Sequence, residues 1–190
     1  MNAASSHSCC GHTHAATTPT GVLREEHEVI LRALTVLERV GRDLAQGRPV
    51  APETLPWLAS FFRTFADKCH HAKEEAHLFP ALEQHGIPRE GGPVGVMLME
   101  HEEGRALVRT FAEADTATAV SAIRRFVLLL REHIAKENEI LFPMSDQVIP
   151  AEEQATMMKL FEAAEQEIAG PEIHRRFLTE LEQLETATAH

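Results

Sequence analysis

Apolar residues recur along most of this chain at intervals of three and four, the spacing that places side chains on one face of an α-helix. No stretch alternates apolar and polar residues in the way that a half-buried strand does. The pattern predicts four long helices, at about residues 20–46, 53–85, 94–114 and 118–148, and one or two shorter helices after Pro150. Short connections rich in glycine and proline join them, so the predicted fold is all-α, an up-down-up-down four-helix bundle.

The same pattern divides the chain into three parts. Residues 1–19 have few apolar side chains and are predicted to be a mobile, disordered tail that contains cysteine and histidine. Residues 20–148 form the predicted bundle, and residues 149–190 form a helical extension at the C-terminus. Within the bundle, Pro80 and Pro143 fall at matching positions of the second and fourth helices, where proline is expected to kink the helix.

Each predicted bundle helix carries a histidine among the apolar residues of its stripe. These histidines are His27, His70, His101 and His133. In the second and fourth helices the histidine begins a repeated segment, because HHAKEEAHLFP and HIAKENEILFP share His, Ala, Lys, Glu, Leu, Phe and Pro at the same places. The shared glutamates, Glu74 and Glu137, follow their histidines by one helical turn and therefore lie on the same faces. All six side chains are predicted to converge at one level of the bundle.

Such a set of side chains is costly to bury unless its charges and lone pairs find partners. Two divalent cations would be suitable partners. If both glutamates bridge the ions, each ion receives two histidine nitrogens and two carboxylate oxygens, with room for a bridging oxide or hydroxide and an open position. Imidazole and carboxylate ligands suit iron, manganese or zinc, and the spacing does not choose among them. The predicted metal ligands are His27, His70, Glu74, His101, His133 and Glu137.

Other histidines and cysteines offer alternatives to this set. His71 and Glu75 have the same spacing one residue further on, but the matching position in the fourth helix is Ile134, so the repeat favours His70 and Glu74. In the tail, HSCCGHTH could bind a soft metal through Cys9 and Cys10, although its composition favours a disordered segment with incidental metal affinity.

Composition and charge exclude several classes of protein. The formal net charge is −11, from 18 basic and 29 acidic residues, and no basic stripe is present, so we expect no binding to nucleic acid. No apolar run is long enough for a membrane span, and none has the form of a secretory signal. Three cysteines do not make a disulfide framework, which favours a cytoplasmic location. The chain has no tyrosine, which argues against a radical-generating di-iron oxidase.

The four helix motifs together resemble the hemerythrin-like, or HHE cation-binding, domain family. The resemblance runs from His27 through HHAKEEAHLFP and MEHEEGR to HIAKENEILFP, and covers about residues 20–148. It implies a four-helix bundle with a non-haem centre of two iron ions, bridged by carboxylates and by an oxo or hydroxo group. The set of four histidines and two glutamates is most similar to that of bacterial di-iron proteins implicated in iron–sulfur cluster repair and nitric oxide handling.

The resemblance implies binding of O₂ or NO, for sensing, storage or scavenging. The alternatives are an enzyme that acts on nitric oxide or peroxide, iron donation in iron–sulfur cluster repair, and a metal-stabilised interaction domain. The sequence assigns no catalytic residue and no protein partner. Arg105 stands where oxygen-carrying hemerythrins have a further histidine, and we expect its side chain to reach solvent. Without that histidine, each iron is expected to keep an open position and to oxidise rather than release O₂.

Overall fold

The computed structural model describes residues 16–168 and 170–188, and it confirms the all-α class. This part of the chain contains six helices and no strand. They are α1 (Pro19–Ala45), α2 (54–84), α3 (Pro93–Glu113), α4 (116–148), α5 (Ala151–Ile168) and α6 (Gly170–Ala187). The predicted tail, with Cys9 and Cys10, falls almost wholly outside the described residues.

Local sequence signals set the ends of these helices. The Thr18 side chain accepts a hydrogen bond from the Gly21 amide and so caps the N-terminus of α1. Asp115 caps α4 in the same way, through the amide of Thr118. Gly86 follows α2 with φ of +87°, a conformation that glycine adopts without the steric cost of a side chain.

Helices α2 and α4 are each continuous but contain π-helical segments. These segments are Phe62–His71 and Glu74–Leu78 in α2, and Glu137–Leu141 in α4. Pro80 and Pro143 follow two residues after the last segment of their helix. Proline lacks an N–H donor and its ring collides with the carbonyl four residues earlier, and a wider turn relieves both problems. A widened turn therefore precedes each of the two prolines at which the sequence predicted a kink.

Helix α4 packs against both α1 and α3. Helices α1 and α4 approach each other closely, since a Cβ atom on Gly41 would lie 2.7 Å from Cγ2 of Ile123. A larger residue at position 41 would therefore push α1 away from α4 and disturb the bundle.

The buried side chains form two apolar clusters with the predicted metal ligands between them. In α1, for example, Leu23 belongs to one cluster and Ile30 to the other, and His27 lies between them. In α2 the order of the two clusters is reversed, from Phe65 through His70 to Leu78. The polar residues thus occupy a band across the middle of the core, with apolar side chains on both sides that exclude water.

The C-terminal helices pack onto the bundle. Helix α5 contacts α1 and α2, and α6 contacts α1. Arg32 of α1 makes two hydrogen bonds with the carboxylate of Glu185, at 2.9 and 2.7 Å. The indole of Trp57 donates to Glu180 at 2.6 Å, and its ring packs edge-on against Phe177.

No helix in residues 16–168 or 170–188 combines the length and the apolar character that crossing a bilayer requires.

Candidate metal centre

All six predicted ligands meet in the middle of the bundle. Their side chains are at most 1% exposed, and they come from four different helices. They are His27 of α1, His70 and Glu74 of α2, His101 of α3, and His133 and Glu137 of α4.

Each glutamate lies between two histidines of different helices. The two oxygens of Glu137 are both 3.2 Å from a ring nitrogen, one from Nε2 of His27 and the other from Nε2 of His133. Glu74 spans the other two rings, with one oxygen 3.6 Å from Nε2 of His70 and the other 3.5 Å from Nε2 of His101. The rings lie in two pairs, His27 with His70 at 4.6 Å and His101 with His133 at 4.8 Å between centroids, and both carboxylates reach from one pair to the other.

The outer nitrogen of every one of these four histidines is held by a hydrogen bond. The Nδ1 partners are Asn138 for His27 (3.0 Å), Glu26 for His70 (2.9 Å), Glu75 for His101 (2.7 Å) and Glu100 for His133 (2.9 Å). Because a carboxylate accepts, Nδ1 carries the proton in the last three rings, and Nε2 presents its lone pair to the centre. This is the arrangement that fixes the tautomer of a metal-binding histidine.

The repeated lysine of the two motifs supports this arrangement. Lys73 bonds the Glu26 carboxylate that holds His70, and Lys136 bonds the Glu100 carboxylate that holds His133. Glu26 and Glu100, which directly precede the histidines of α1 and α3, thus orient His70 and His133 on the neighbouring helices. In return, Glu75, which follows Glu74, orients His101 of α3, and Asn138, which follows Glu137, orients His27 of α1. The site has an approximate twofold repeat, and the motif HxxKE describes half of it.

The two halves differ in charge and in burial. Glu75 holds His101 with a carboxylate, whereas Asn138 holds His27 with a neutral amide. Lys73 is fully buried and also bonds Glu165 of α5, whereas the side chain of Lys136 is 36% exposed. The two halves therefore differ in whether a carboxylate or a neutral amide holds the imidazole of the neighbouring helix.

The side chain of Arg105 was expected to reach solvent, but the structure places it differently. Its guanidinium donates to Asp67, Glu75 and Glu102 at 2.6 to 2.8 Å, and its side chain is 22% exposed. Two carboxylates of α2 and one of α3 hold the guanidinium in this position. Since Glu75 in turn holds His101, Arg105 contributes to the site through that carboxylate.

The inward-facing atoms fit divalent cations. Within the described residues, Nε2 of His27 and His70 and all four oxygens of Glu74 and Glu137 are buried and have no hydrogen-bond partner. Nε2 of His101 and His133 face each other at 3.1 Å, although a carboxylate holds the proton of each ring on Nδ1. In neutral rings such converging lone pairs repel one another, and either a proton or a metal cation satisfies them.

The same groups compete for protons and for cations. Burial, together with the neighbouring Glu137, raises the pKa of Glu74 well above its usual range. Burial also disfavours charge on Glu137, but His133 and His27 outweigh it and hold the pKa of Glu137 well below its usual range. Burial opposes the charge of His133, yet the adjacent carboxylates raise its pKa to about 9. Burial lowers the pKa of His70 to about 4. Metal ions that bind here displace protons.

His71, which the repeat disfavoured as a ligand, also lies at the site. Its ring is buried and stacks on His101, with 3.8 Å between ring centroids and 15° between planes. Nitrogens of His71, His101 and His133 and an oxygen of Glu74 lie within 4.8 Å of one another. A second such group joins His27, His70, Glu74 and Glu137.

The residues that orient the ligands were not identified from the sequence. They are Glu26, Lys73, Glu75, Glu100, Lys136 and Asn138. The signal for some of them was present, because the lysine is identical in both repeated segments and a glutamate precedes the histidine in both EEHE and MEHEE.

Comparison with known proteins gives relatives in bacteria. The chain is 30% identical over 172 residues to an uncharacterized protein of Mycobacterium tuberculosis, a match that covers 85% of this chain and 63% of that protein. It is 35% identical over 130 residues to the iron-sulfur cluster repair protein YtfE of Salmonella newport, over 61% of this chain and 56% of the relative. The chain thus spans less than two thirds of the length of these relatives. No solved structure gives a significant match.

The model of one protein family matches most of the bundle. It is the hemerythrin HHE cation-binding domain, and the match covers residues 18–145, which contain all six predicted ligands. The chain belongs to the hemerythrin HHE cation-binding domain family.

Proposed function

We propose that this protein holds two iron ions between its two histidine pairs and binds O₂ or NO there, for sensing, storage or scavenging. The observation that supports this most directly is the position of Glu74 and Glu137, because each carboxylate has one oxygen near each histidine pair. The ligands would be His27, His70, Glu74, His101, His133 and Glu137. Manganese or zinc would suit the same nitrogen and oxygen donors, and the choice of iron follows the family resemblance.

Iron bound at this site would supply the electrons and the open coordination position that a diatomic ligand requires. The chain's own residues hold the imidazoles in one tautomer through their Nδ1 hydrogen bonds. The apolar clusters on both sides of the site keep bulk water away from it. The exclusion of bulk water favours a small neutral ligand over hydrolysis chemistry, which needs access for water.

A cavity of about 250 Å³ lies beside the site, between α2, α3 and α4. Its apolar lining is formed by Phe62, Ala66, Gly104, Val108, Phe126 and Leu130. His71 lines the same cavity and stacks on His101, so the cavity extends to the edge of the site. The absence of a side chain at Gly104 contributes to this space. The charged side chains of Arg63, Asp67, Lys68, Glu100, Arg105 and Arg109 line the cavity as well, and the apolar part of its wall suits a small neutral molecule such as O₂ or NO.

Stopped-flow spectroscopy of the diferrous protein tests the proposal. Mixing with O₂ or NO under otherwise anaerobic conditions is expected to change the absorption spectrum at a rate that depends on gas concentration. The double variant Glu74→Ala, Glu137→Ala serves as the control and is expected to show no change. A diferrous wild-type protein whose spectrum neither gas alters would refute the proposal.

A second candidate is iron donation in iron–sulfur cluster repair, and the relatives named for that activity favour it. An enzyme that reduces nitric oxide or peroxide is the other alternative. Anaerobic incubation with a cluster-depleted iron–sulfur protein distinguishes repair, since the recipient regains its cluster absorption while this protein loses iron. Sustained consumption of NO or peroxide with a reductant indicates the enzyme. Binding alone predicts that one equivalent of gas is taken up and that iron is retained.

A further inference from the structure

The cavity between α2, α3 and α4 is lined by residues other than the six predicted metal ligands. His71 forms its end next to the metal centre, because this ring lines the cavity and stacks on His101. A cavity of about 150 Å³ is large enough to hold benzene, and this one has a volume of about 250 Å³. It therefore has room for an aromatic ring with a short substituent.

The inner wall of this cavity is apolar and partly aromatic. Phe62 and Phe126 pack edge to face, with 4.9 Å between their ring centroids. Gly104 leaves the space in front of Phe126 open, since a Cβ atom at position 104 would lie 3.7 Å from Cε2 of that ring, in ordinary van der Waals contact. Aromatic rings attract other rings in edge-to-face and offset contacts, so this wall favours an aromatic ligand.

The charged side chains around the cavity leave two cations unmatched. Both carboxylates of the lining, Asp67 and Glu100, are already ion-paired with neighbouring cations. Lys68 and Arg109 also line the cavity, are exposed, and make no hydrogen bond or ion pair within residues 16–168 and 170–188. Two unmatched cations beside an apolar cavity stand out in a chain whose formal net charge is −11. An anion is the ligand whose charge they complement.

We propose that this cavity binds a small aromatic carboxylate, with the ring against the apolar wall and the carboxylate at Lys68 and Arg109. Arg109 follows His101 on α3 by about two helical turns, so the carboxylate lies toward the end away from the metal centre. The ring of the ligand lies toward His71. The assignment is independent of the proposed function, because no predicted metal ligand lines the cavity.

Titration calorimetry of the purified protein with phenylacetate tests the proposal, and we expect one molecule to bind per chain. Phenylacetamide has the same shape without the charge, and acetate has the charge without the ring. Each is expected to bind at least about tenfold more weakly, since a hydrogen bond to a charged group and the burial of a ring each contribute about that factor or more. Phenylacetamide that binds as tightly as phenylacetate, or octanoate that binds more tightly, would overturn the aromatic carboxylate as the ligand.

Two variants locate the binding site. Gly104→Leu fills the cavity with a side chain and is expected to abolish the binding of phenylacetate. The double variant Lys68→Gln, Arg109→Gln removes both cations and is expected to bind phenylacetate at least about tenfold more weakly. Its matched control is the double variant Arg42→Gln, Arg124→Gln, which removes two exposed arginines that do not line the cavity and is expected to bind as the wild type does.

A thermal melt of each variant verifies folding. If Gly104→Leu does not fold, the Lys68, Arg109 double variant still tests the site, because both of its changes are exposed. A wild-type protein that does not bind phenylacetate, or one that binds it no more tightly than this double variant does, would overturn the site. Phenylacetate bound directly to metal ions would give the second of these results, since neither Lys68 nor Arg109 is a predicted metal ligand.

Discussion

At the scale of the residue, the site depends on the atoms that hold each imidazole as much as on the imidazoles. Four Nδ1 hydrogen bonds turn four Nε2 lone pairs inward, and three of them involve carboxylates. A carboxylate in this position raises the basicity of the histidine and restricts its rotation. Loss of such a partner should weaken metal binding without removing a ligand.

The variant Glu100→Ala tests this directly. His133 would lose the partner of its Nδ1, so its ring could rotate or change tautomer, and we expect metal affinity to fall by about 10- to 100-fold. Competition with a chelating dye measures the affinity. Glu103→Ala, an exposed change on the same helix, is the control and should leave the affinity unchanged. Equal affinities of Glu100→Ala and the wild type would contradict the role given to Glu100.

The pKa of His133 leads to a prediction about pH. Because the pKa of His133 is raised to about 9, its imidazole holds a proton at pH 7 that an incoming metal ion must displace. Metal affinity should therefore rise as the pH increases from 7 and level off above about 9. Titration calorimetry with Mn²⁺, in buffers of different ionisation enthalpy, measures both the affinity and the protons released. An affinity independent of pH over this interval would contradict the protonated state of His133.

At the scale of the element, α5 is connected to the site through one buried lysine. Lys73 bonds both Glu26, which holds His70, and Glu165 of α5. Burial disfavours its charge, but the two carboxylates outweigh burial and keep the pKa of Lys73 above its usual value. The helical extension therefore takes part in positioning His70.

The repeat supplies a matched pair of variants for this contact. Lys73→Met leaves the buried Glu26 and Glu165 without their cation, and breaking a buried ion pair typically costs about 3–5 kcal/mol of stability. Lys136→Met removes the partly exposed counterpart, and surface pairs contribute about 0–1 kcal/mol. Urea denaturation of the metal-free proteins measures both changes in the free energy of unfolding. Equal losses in the two variants would contradict the structural difference between the halves of the site.

The helices and the convergence of six side chains in the core could be predicted because they depend on local spacing. His27 and His101 interrupt apolar stripes, and His70 and His133 begin the same repeated motif. The position of His71 could not be predicted in this way. The π-helical segment Phe62–His71 has a wider turn than an α-helix, so that the neighbours His70 and His71 both face inward. The bond between Lys73 and Glu165 joins distant parts of the chain, and no sequence period indicates it.

At the scale of the whole molecule, two apolar clusters enclose a band of polar side chains that is built twice from the same motif. The motif occurs in α2 and again in α4, and each time it faces a Glu-His pair from a neighbouring helix. The two halves differ at His71 and Ile134 and at Glu75 and Asn138, and these differences give them different buried side chains and different charge. The repeated motif thereby provides two candidate metal positions with different surroundings.

The iron content of the folded protein tests the central claim most directly. After anaerobic reconstitution and removal of excess metal, we expect two iron ions per chain by elemental analysis, because Glu74 and Glu137 each reach from one histidine pair to the other. The double variant Glu74→Ala, Glu137→Ala should retain less than one, with its helical content verified by circular dichroism. A single iron ion per wild-type chain, or two in the double variant, would contradict the two-metal centre.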